Sequence, residues 1–187
     1  MEIGEKKSSG MKIAKELGSW ILYIVIIVAL AIFINTFIGQ RTHVKGASME
    51  PTLHDNDNLI VDKISYRFRE PRRFDIIVFP FDEPGGLYYI KRIVALPGET
   101  IQIIAGKVYI NGVLLEEDYG NALMLDAGIA ANPLTLGTDE FFVLGDNRNF
   151  SSDSRDYRVG VQHRDRILGR AFLRMWPLAD FGLIQHE

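Results

Sequence analysis

The pattern of hydrophobic and polar residues separates one long apolar stretch from a series of short apolar runs. Residues 17–40 contain no charged side chain, and within residues 20–38 only Asn35 and Thr36 are polar. At about 1.5 Å of rise per helical residue, these 19 residues span roughly 29 Å, close to the ~30 Å hydrocarbon core of a bilayer. The pattern predicts a transmembrane anchor helix over residues 20–38.

Two other interpretations of this stretch are less consistent with the pattern. A cleaved signal peptide has an apolar core of about 7–15 residues and a small-residue exit, whereas this run is longer and ends in Phe37-Ile38-Gly39-Gln40. A buried core helix rarely continues this far without a charged residue. We therefore expect an uncleaved anchor.

Charged residues around the anchor indicate its orientation. Residues 1–19 carry four lysines and three glutamates, while Arg41 and Lys45 follow the apolar stretch. An excess of basic residues favours the cytoplasmic side. The expected topology is a cytoplasmic segment over residues 1–19, one crossing of the plasma membrane, and an extracytoplasmic domain over residues 39–187.

The rest of the chain has the pattern of a β-protein. Short β-branched or aromatic runs are separated by Gly, Pro, Asn or Asp, which is typical of strands and turns. The predicted strands are Asn58–Lys63, Asp75–Phe79, Tyr88–Leu96, Thr100–Ala105, Glu140–Leu144 and Leu168–Trp176. Lys107–Leu115 is a hairpin, because Asn111-Gly112 suits a type I′ turn. Residues 116–138 lack a period and are expected to form a surface insertion or flap. The fold class is therefore a single all-β domain with one N-terminal transmembrane helix.

Composition narrows the functional classes. The 187 residues carry a net charge of −3, and no broad basic field indicates nucleic acid as a partner. The chain has no cysteine, which excludes disulfides and thiolate metal sites.

Ser48 lies just beyond the anchor in Gly46-Ala47-Ser48-Met49-Glu50-Pro51. Gly46 permits unusual backbone angles, Pro51 stiffens the exit, and amides near a nucleophile can stabilise an oxyanion. A surface turn capped by Ser48 is the alternative. The exposed methionine expected at position 49 and the position beyond the anchor favour a functional role.

Lys91 lies in the predicted strand Tyr88–Leu96, where strand alternation places it on one face with Tyr89 and Ile93. A strand that is apolar on both faces is buried on both, which removes water from the amine and lowers its pKa. An unprotonated lysine can then act as the base that a serine nucleophile needs. A solvent-reaching lysine on an edge strand is the alternative.

A third polar segment, Gly145–Arg155, follows the apolar run that ends at Leu144. Its aspartates, asparagines, serines and arginines can form a hydrogen-bonded loop rather than an ordinary solvated one.

From the anchor to Trp176, the chain resembles the bacterial type I signal peptidases in their Gram-positive-like form. The resemblance rests on five ordered motifs: Gly46-x-Ser48-Met49-x-Pro51-Thr52-Leu53, Asp57-x-Leu59-Ile60-Val61, Arg73-x-Asp75-Ile76-Ile77-Val78-Phe79, Lys91-Arg92-x-Val94-x-Leu96-Pro97-Gly98 and Gly145-Asp146-Asn147-Arg148-x-x-Ser151-x-Asp153-Ser154-Arg155. Phe74 departs from the family's usual Gly, and Ala95 and Glu99 replace a common Gly and Asp.

The resemblance implies a signal-peptidase/LexA-like β-fold and a serine endopeptidase that removes signal peptides from exported preproteins. It implies Ser48 as nucleophile, Lys91 as general base and Ser151 as the residue that orients the lysine. A mechanism with these roles needs no metal and no organic cofactor. It implies supporting ionic residues Arg92, Asp146, Asp153 and Arg155, and oxyanion donors in the backbone of Ser48 and Gly46.

The resemblance also implies the partners and argues against other classes. The expected partners are signal peptides with small residues at the first and third positions before the cut, the lipid bilayer and the secretion machinery. A self-cleaving repressor with a Ser-Lys dyad would carry a DNA-binding domain in place of the anchor. A membrane-anchored binding protein would have no need for Lys91 on an apolar strand face.

Overall fold

A computed structural model describes residues 3–33, 35–36, 39–81, 86–119 and 122–186. It divides the chain into two compact units, Met1–Gly39 and Gln40–Glu187. Of the expected segments, parts lie outside the described residues: residues 1–2 of the N-terminal segment, residues 34, 37 and 38 of the anchor, residues 120–121 of the insertion, and residue 187.

The first unit contains one long helix, α1, at Ile3–Phe33. Its portion Glu16–Phe33 is apolar and wholly unburied, and it is long enough to cross a membrane. No partner helix covers these apolar side chains among the described residues, in keeping with the apolar N-terminal helix predicted from the sequence.

The second unit is mainly antiparallel sheet, which confirms the predicted fold class. The strands are β1 (Gly39–His43), β2 (Asn58–Asp62), β3 (Ile76–Pro80), β4 (Tyr88–Ala95), β5 (Thr100–Ile104), β6 (Lys107–Ile110), β7 (Val113–Leu114), β8 (Leu134–Thr135), β9 (Glu140–Leu144), β10 (Gln162–His163), β11 (Gly169–Trp176) and β12 (Gly182–Leu183). A single helical turn, α2 (Ser65–Phe68), follows β2.

The strands form two sheets. The larger has the order β1-β2-β11-β3-β4-β9-β10, with β12 paired to β11, and the smaller has the order β7-β6-β5-β8. The registers of β2 to β12 are antiparallel throughout the described pairings. Sequentially distant strands therefore meet in one sheet, and β4 lies between β3 and β9.

Strand β4 is buried from Ile90 to Ala95 without interruption. Ile90 packs in a cluster with Met49 and Leu53, while Ile93 belongs to a second cluster on the other side, with Phe79 and Val143. The predicted burial of both faces of this strand is therefore confirmed.

The smaller sheet contains the predicted hairpin. Asn111 and Gly112 have φ values of 51° and 79°, as a type I′ turn requires. Of the described residues between 116 and 138, Met124, Ala130 and Leu136 are buried in the core of this sheet, while most of the others are exposed. Strand β8 within this segment was not predicted.

Candidate active site

Ser48 lies in a turn between β1 and β2 whose apolar residues anchor it. Met49 and Leu53 are 1% and 0% exposed, so the expectation of an exposed methionine was wrong. Burying these two side chains ties the turn to the same cluster that receives Ile90 of β4. The hydroxyl of Ser48 is thereby brought to the strand that carries Lys91.

The Lys91 amine meets the Ser48 hydroxyl directly. Lys91 Nζ lies 2.8 Å from Ser48 Oγ and donates a second hydrogen bond of 2.9 Å to the carbonyl of Ile90. The Tyr89 ring lies 5.0 Å from the same nitrogen. Lys91 is 4% exposed, so it is a buried lysine and not a solvent-reaching one.

Burial changes the acidity of this amine. It lowers the pKa of Lys91 from 10.5 to about 8, although the negative charges of Asp153 and Asp146 oppose the shift. Desolvation disfavours the ammonium form, and here it exceeds the attraction of the two carboxylates. Lys91 is therefore a base with a substantial neutral fraction at mildly alkaline pH.

Ser151 lies close to the Ser48 turn but makes no hydrogen bond to the Lys91 amine. Its Oγ is buried and has no hydrogen-bond partner among the described residues, so the expected bond to Lys91 is not formed in this structure. A Cβ at Gly145 would lie 2.2 Å from Ser151 Oγ and 2.5 Å from the carbonyl oxygen of Ser48. The absence of a side chain at Gly145 lets Ser151 and the Ser48 turn approach each other.

Arg92, the neighbour of Lys91 in β4, forms a buried ion pair with Asp146. Arg92 Nε and Nη2 donate to the two Asp146 oxygens at 2.8 and 2.7 Å, and both side chains are at most 2% exposed. Thr52 of the Ser48 turn donates to the same carboxylate at 2.6 Å. The next residue, Asn147, donates its backbone N–H to the Ser48 carbonyl at 3.1 Å. Asp146 thus joins β4 to the Ser48 turn.

Asp153 and Arg155 form a second, separate pair. Arg155 donates to Asp153 at 2.8 and 2.9 Å, and the Gly145 N–H donates to Asp153 at 3.1 Å. The expected single network with Arg92 is therefore two pairs, because each arginine takes both of its fork donors to a different carboxylate. Together the pairs hold both ends of the loop that carries Ser151.

The two expected oxyanion donors differ in whether their backbone N–H is already hydrogen-bonded. The Gly46 N–H already donates to Asp55 Oδ1 at 2.8 Å, so it is not free to stabilise an oxyanion. Gly46 has φ +86°, and this conformation shapes the turn. The Ser48 N–H makes no hydrogen bond to a described residue, which leaves it available.

A groove runs alongside the dyad. Its volume is about 560 Å³, and its walls are partly apolar and partly polar. Its lining comprises residues 40–45, Ser48, Met49, residues 86–91 and Ser152. Ser48 and Lys91 therefore lie in the wall of an open groove, as a site that acts on a polymer requires.

Sequence reasoning named residues that the structure brings close to Ser48 and Lys91, but it missed several of their partners. Thr52 and Asn147 lie in the quoted motifs, but nothing in their pattern indicated contact with Asp146 or the Ser48 carbonyl. Tyr119 lies 3.9 Å over the Arg92 guanidinium and belongs to a segment without any recognisable period. Among the described residues no cluster suitable for a metal ion is found.

Comparison with known proteins places the chain in a family. The family described as "Signal peptidase, peptidase S26" matches residues 17–176. A probable signal peptidase I-2 of Synechocystis sp. is 42% identical over 165 residues, which cover 86% of this chain and 73% of that one. A signal peptidase I of Bacillus licheniformis is 34% identical over 92% of this chain and 95% of that one.

A crystal structure of a signal peptidase I from Enterococcus faecalis is 37% identical, covers 55% of this chain and 97% of that one, and has a TM-score of 0.45. The family match spans most of the chain, including both the Ser48 turn and β4. This chain belongs to the signal peptidase family, peptidase S26, and is a serine hydrolase of that family.

Proposed function

We propose that this protein is a membrane-bound serine endopeptidase that cleaves N-terminal signal peptides from exported preproteins with a Ser48–Lys91 dyad. The observation that carries the proposal is the contact of 2.8 Å between Lys91 Nζ and Ser48 Oγ, made by a lysine that is 4% exposed. A buried amine at this distance is within reach of the proton that a serine nucleophile must lose.

The proposed reaction has two halves. Neutral Lys91 takes the hydroxyl proton of Ser48 while Oγ attacks the carbonyl carbon before the cut. The resulting lysinium gives that proton to the leaving amine as the peptide bond breaks, and the mature protein departs. Lys91 then takes a proton from water as the water oxygen attacks the acyl ester. The lysinium gives this proton to Ser48 Oγ as the ester bond breaks, which releases the signal peptide as a carboxylic acid and restores the neutral lysine.

The backbone N–H of Ser48 is the proposed donor to the oxyanion, since it has no competing acceptor among the described residues. A donor that is already fixed stabilises developing charge without reorganisation. Gly46 contributes through the shape of the turn, because its own N–H is bound by Asp55.

Ser151 is proposed to orient the Lys91 amine when substrate is bound. Its unpartnered Oγ and its position against the Ser48 backbone support this role. The Arg92–Asp146 and Asp153–Arg155 pairs are proposed to support the loop, since they fix Asp146 and Asp153 on either side of Ser151.

The groove is the proposed binding site for the signal peptide. β4 pairs with β3 over residues 88–92, but its pairing with β9 begins at Arg92. A peptide that lies in the groove along residues 88–91 would be bound as an added strand, which is a common way to bind an extended peptide. Residues at the first and third positions before the cut share one face of such a strand. The family resemblance implies that these residues are small.

The proposed location is the plasma membrane, with a single anchor at residues 20–38. Residues 1–19 would lie in the cytoplasm, and residues 39–187, with the insertion around 116–138, would form the extracytoplasmic domain. The lysines before the anchor support this orientation. The lipid bilayer and the secretion machinery would then be its partners.

The topology can be tested on intact spheroplasts of an expressing bacterium. Added protease should digest the domain beyond Arg41 and leave an epitope at the N-terminus intact. Protection of the domain with loss of the epitope would reverse the proposed orientation.

The activity is tested with the purified full chain in detergent and a precursor that carries a signal peptide. Wild-type protein should release the mature protein, whereas Ser48→Ala should not. Ser65→Ala, which changes a serine of α2 outside the groove lining, serves as the matched control and should retain cleavage. Cleavage by Ser48→Ala at the wild-type rate would refute the proposal.

A further inference from the structure

Tyr119 covers the buried ion pair that joins β4 to the Ser48 turn. Its ring lies 3.9 Å from the guanidinium carbon of Arg92, a distance typical of a close cation–π contact. Arg92 uses two of its nitrogens on Asp146, so the ring covers the pair rather than a free cation.

Phe74 packs against the Tyr119 ring. The two ring centroids lie 5.4 Å apart in an edge-to-face arrangement. Phe74 has φ +71°, which is uncommon for a bulky side chain, yet its backbone is tied on both sides. Its N–H donates to the Ile93 carbonyl at 2.8 Å, and its carbonyl accepts from Arg92 Nη1 at 3.2 Å. Phe74 therefore contacts both Tyr119 and Arg92.

A second contact fixes Tyr119 over the loop that follows β9. The Tyr119 hydroxyl donates to Glu117 Oε2 at 3.1 Å, and Glu117 forms a bidentate pair with Arg148 at 2.5 and 2.7 Å. Burial raises the pKa of Tyr119, so the hydroxyl stays protonated and remains a donor. The segment around Tyr119 is thus attached to the same loop as Asp146.

The Arg92–Asp146 pair is linked to Ser48 and Lys91 through a few direct contacts, so a displacement of the pair would also displace these two residues. Asp146 accepts the Thr52 hydroxyl at 2.6 Å, and Thr52 lies in the Ser48 turn. Asn147, the residue after Asp146, donates to the Ser48 carbonyl at 3.1 Å. Arg92 is the immediate neighbour of Lys91 in β4. The two halves of the dyad are therefore each one step from the Arg92–Asp146 pair.

We propose that Tyr119, with Phe74, is a positioning residue: its ring keeps water away from the Arg92–Asp146 pair and so holds Ser48 at hydrogen-bonding distance from Lys91. This role rests on the proposed function, in which these two residues perform the chemistry. Tyr119 does not touch the dyad and acts through Arg92.

The proposal has a consequence for the titration of Lys91. The groups that face its amine are the Ser48 hydroxyl, the Ile90 carbonyl, the Tyr89 ring and the charges of Asp146 and Asp153. Arg92 neutralises the first carboxylate and Arg155 the second. If Arg92 moves away from Asp146, the uncompensated carboxylate favours the ammonium form. The pKa of Lys91 should then rise.

The experiment compares Tyr119→Ala with Tyr119→Phe in the full chain, in the precursor assay. Tyr119→Ala should lower kcat by roughly 10- to 100-fold with little change in KM, as expected when reacting groups are misplaced. Tyr119→Phe keeps the ring and should stay within about threefold of wild type. Phe68→Ala removes an aromatic ring that is 85% exposed and is the matched control. Circular dichroism establishes that each variant is folded.

A second readout does not depend on activity. Protein labelled with [13Cε]lysine is titrated by NMR, and Lys91→Arg identifies the signal of Lys91. The midpoint of that signal should move to higher pH in Tyr119→Ala and remain in place in Tyr119→Phe. A purely structural role would lower stability without moving this midpoint. If Tyr119→Ala does not fold, Tyr119→Leu, which keeps the bulk but not the ring, replaces it.

Phe74→Gly tests the second ring, because glycine accepts φ +71° without strain and keeps both backbone contacts. We expect a loss of kcat in the same direction as in Tyr119→Ala but smaller. A wild-type kcat and an unmoved Lys91 midpoint in folded Tyr119→Ala would overturn the proposal. An equal loss in Tyr119→Phe would also overturn it, by assigning the effect to the hydroxyl. Failure of wild-type protein to cleave any precursor would instead refute the proposed function, and the NMR titration would still test Tyr119.

Discussion

The basicity of Lys91 should depend on the apolar wall provided by Tyr89. Replacing Tyr89 by serine would admit water beside an amine whose pKa burial has lowered from 10.5 to about 8. The change also removes the Tyr89 ring, 5.0 Å from Nζ, which favours the ammonium form. These two effects have opposite signs, and their magnitudes decide the outcome.

Hydration is the larger of the two. The shift of about 2.5 units corresponds to roughly 3 kcal/mol, at about 1.4 kcal/mol per unit. A cation–π contact contributes about 0.5–2 kcal/mol. Full rehydration of the amine therefore exceeds even the strongest cation–π contact by about 1 kcal/mol, and we expect the pKa of Lys91 to rise by about one unit. Deeply buried Ile93 should behave in the same way when replaced by a small polar residue.

The magnitude can be measured as a rate. With a pKa of about 8, about a quarter of Lys91 is neutral at pH 7.5, and with a pKa of about 9 only about 3% is neutral. The rate at pH 7.5 should thus fall about eightfold, with recovery at higher pH.

The assay is the pH dependence of kcat/KM for precursor cleavage. Tyr88→Ser is the matched control, since Tyr88 is the adjacent tyrosine, 49% exposed, on the opposite face of β4. The rising limb of the pH profile of kcat/KM should lie at the same pH in Tyr88→Ser as in wild type. A limb that does not move in folded variants of either Tyr89 or Ile93 would show that Lys91 is not the titrating group.

Four further predictions follow from single contacts. Lys91→Arg and Lys91→Ala should each abolish cleavage in folded, membrane-bound protein, because guanidinium stays protonated and alanine has no base; full activity in either would contradict the dyad. Ser151→Ala should reduce kcat without abolishing it, and an unchanged rate would remove Ser151 from the site. Gly145→Ala should lower kcat far more than Gly182→Ala, since its Cβ would lie 2.2 Å from Ser151 Oγ whereas Gly182 has open space; equal rates would show that the Ser48 turn tolerates displacement. Burial lowers the pKa of His186 to about 4, and its neutral Nδ1 accepts the Ile76 N–H at 2.9 Å. Because the folded state resists protonation of this ring, the free energy of unfolding should be about 1–2 kcal/mol higher above pH 6.5 than near pH 4, a figure discounted for partial exposure. This stability should be lost as pH falls from 6.5 toward 4. Denaturant unfolding at pH 7.5 and 5 should show a smaller loss in His186→Gln than in wild type, and equal losses would refute this assignment.

The sequence was sufficient for features that depend on local pattern. The Asn111-Gly112 turn, the burial of β4 and the apolar α1 all follow from periodicity or from the conformational preference of one or two residues. Strands β8, β10 and β12 have two residues each, too few for a period to be visible. They form only because a neighbouring strand is already in place.

The site itself was predictable in membership but not in pairing. Ser48 and Lys91 were identified together, while Thr52 and Asp146, 94 residues apart, are joined only by the folded sheet. The sequence could not distinguish two separate arginine–aspartate pairs from a single network, because the order of charged residues along the chain does not specify which carboxylate each guanidinium faces. Tyr119 escaped notice for the same reason: its partner Arg92 lies on a distant strand.

The most direct test of the central claim is to locate the acyl group during turnover. Full-length protein is mixed with a short signal-peptide ester, quenched in acid within milliseconds to seconds, digested and measured by mass spectrometry. We predict an acyl adduct on the peptide containing Ser48, absent in Ser48→Ala and greatly slowed in Lys91→Ala. An adduct on another residue, or cleavage that proceeds through no adduct at all, would contradict the proposed dyad.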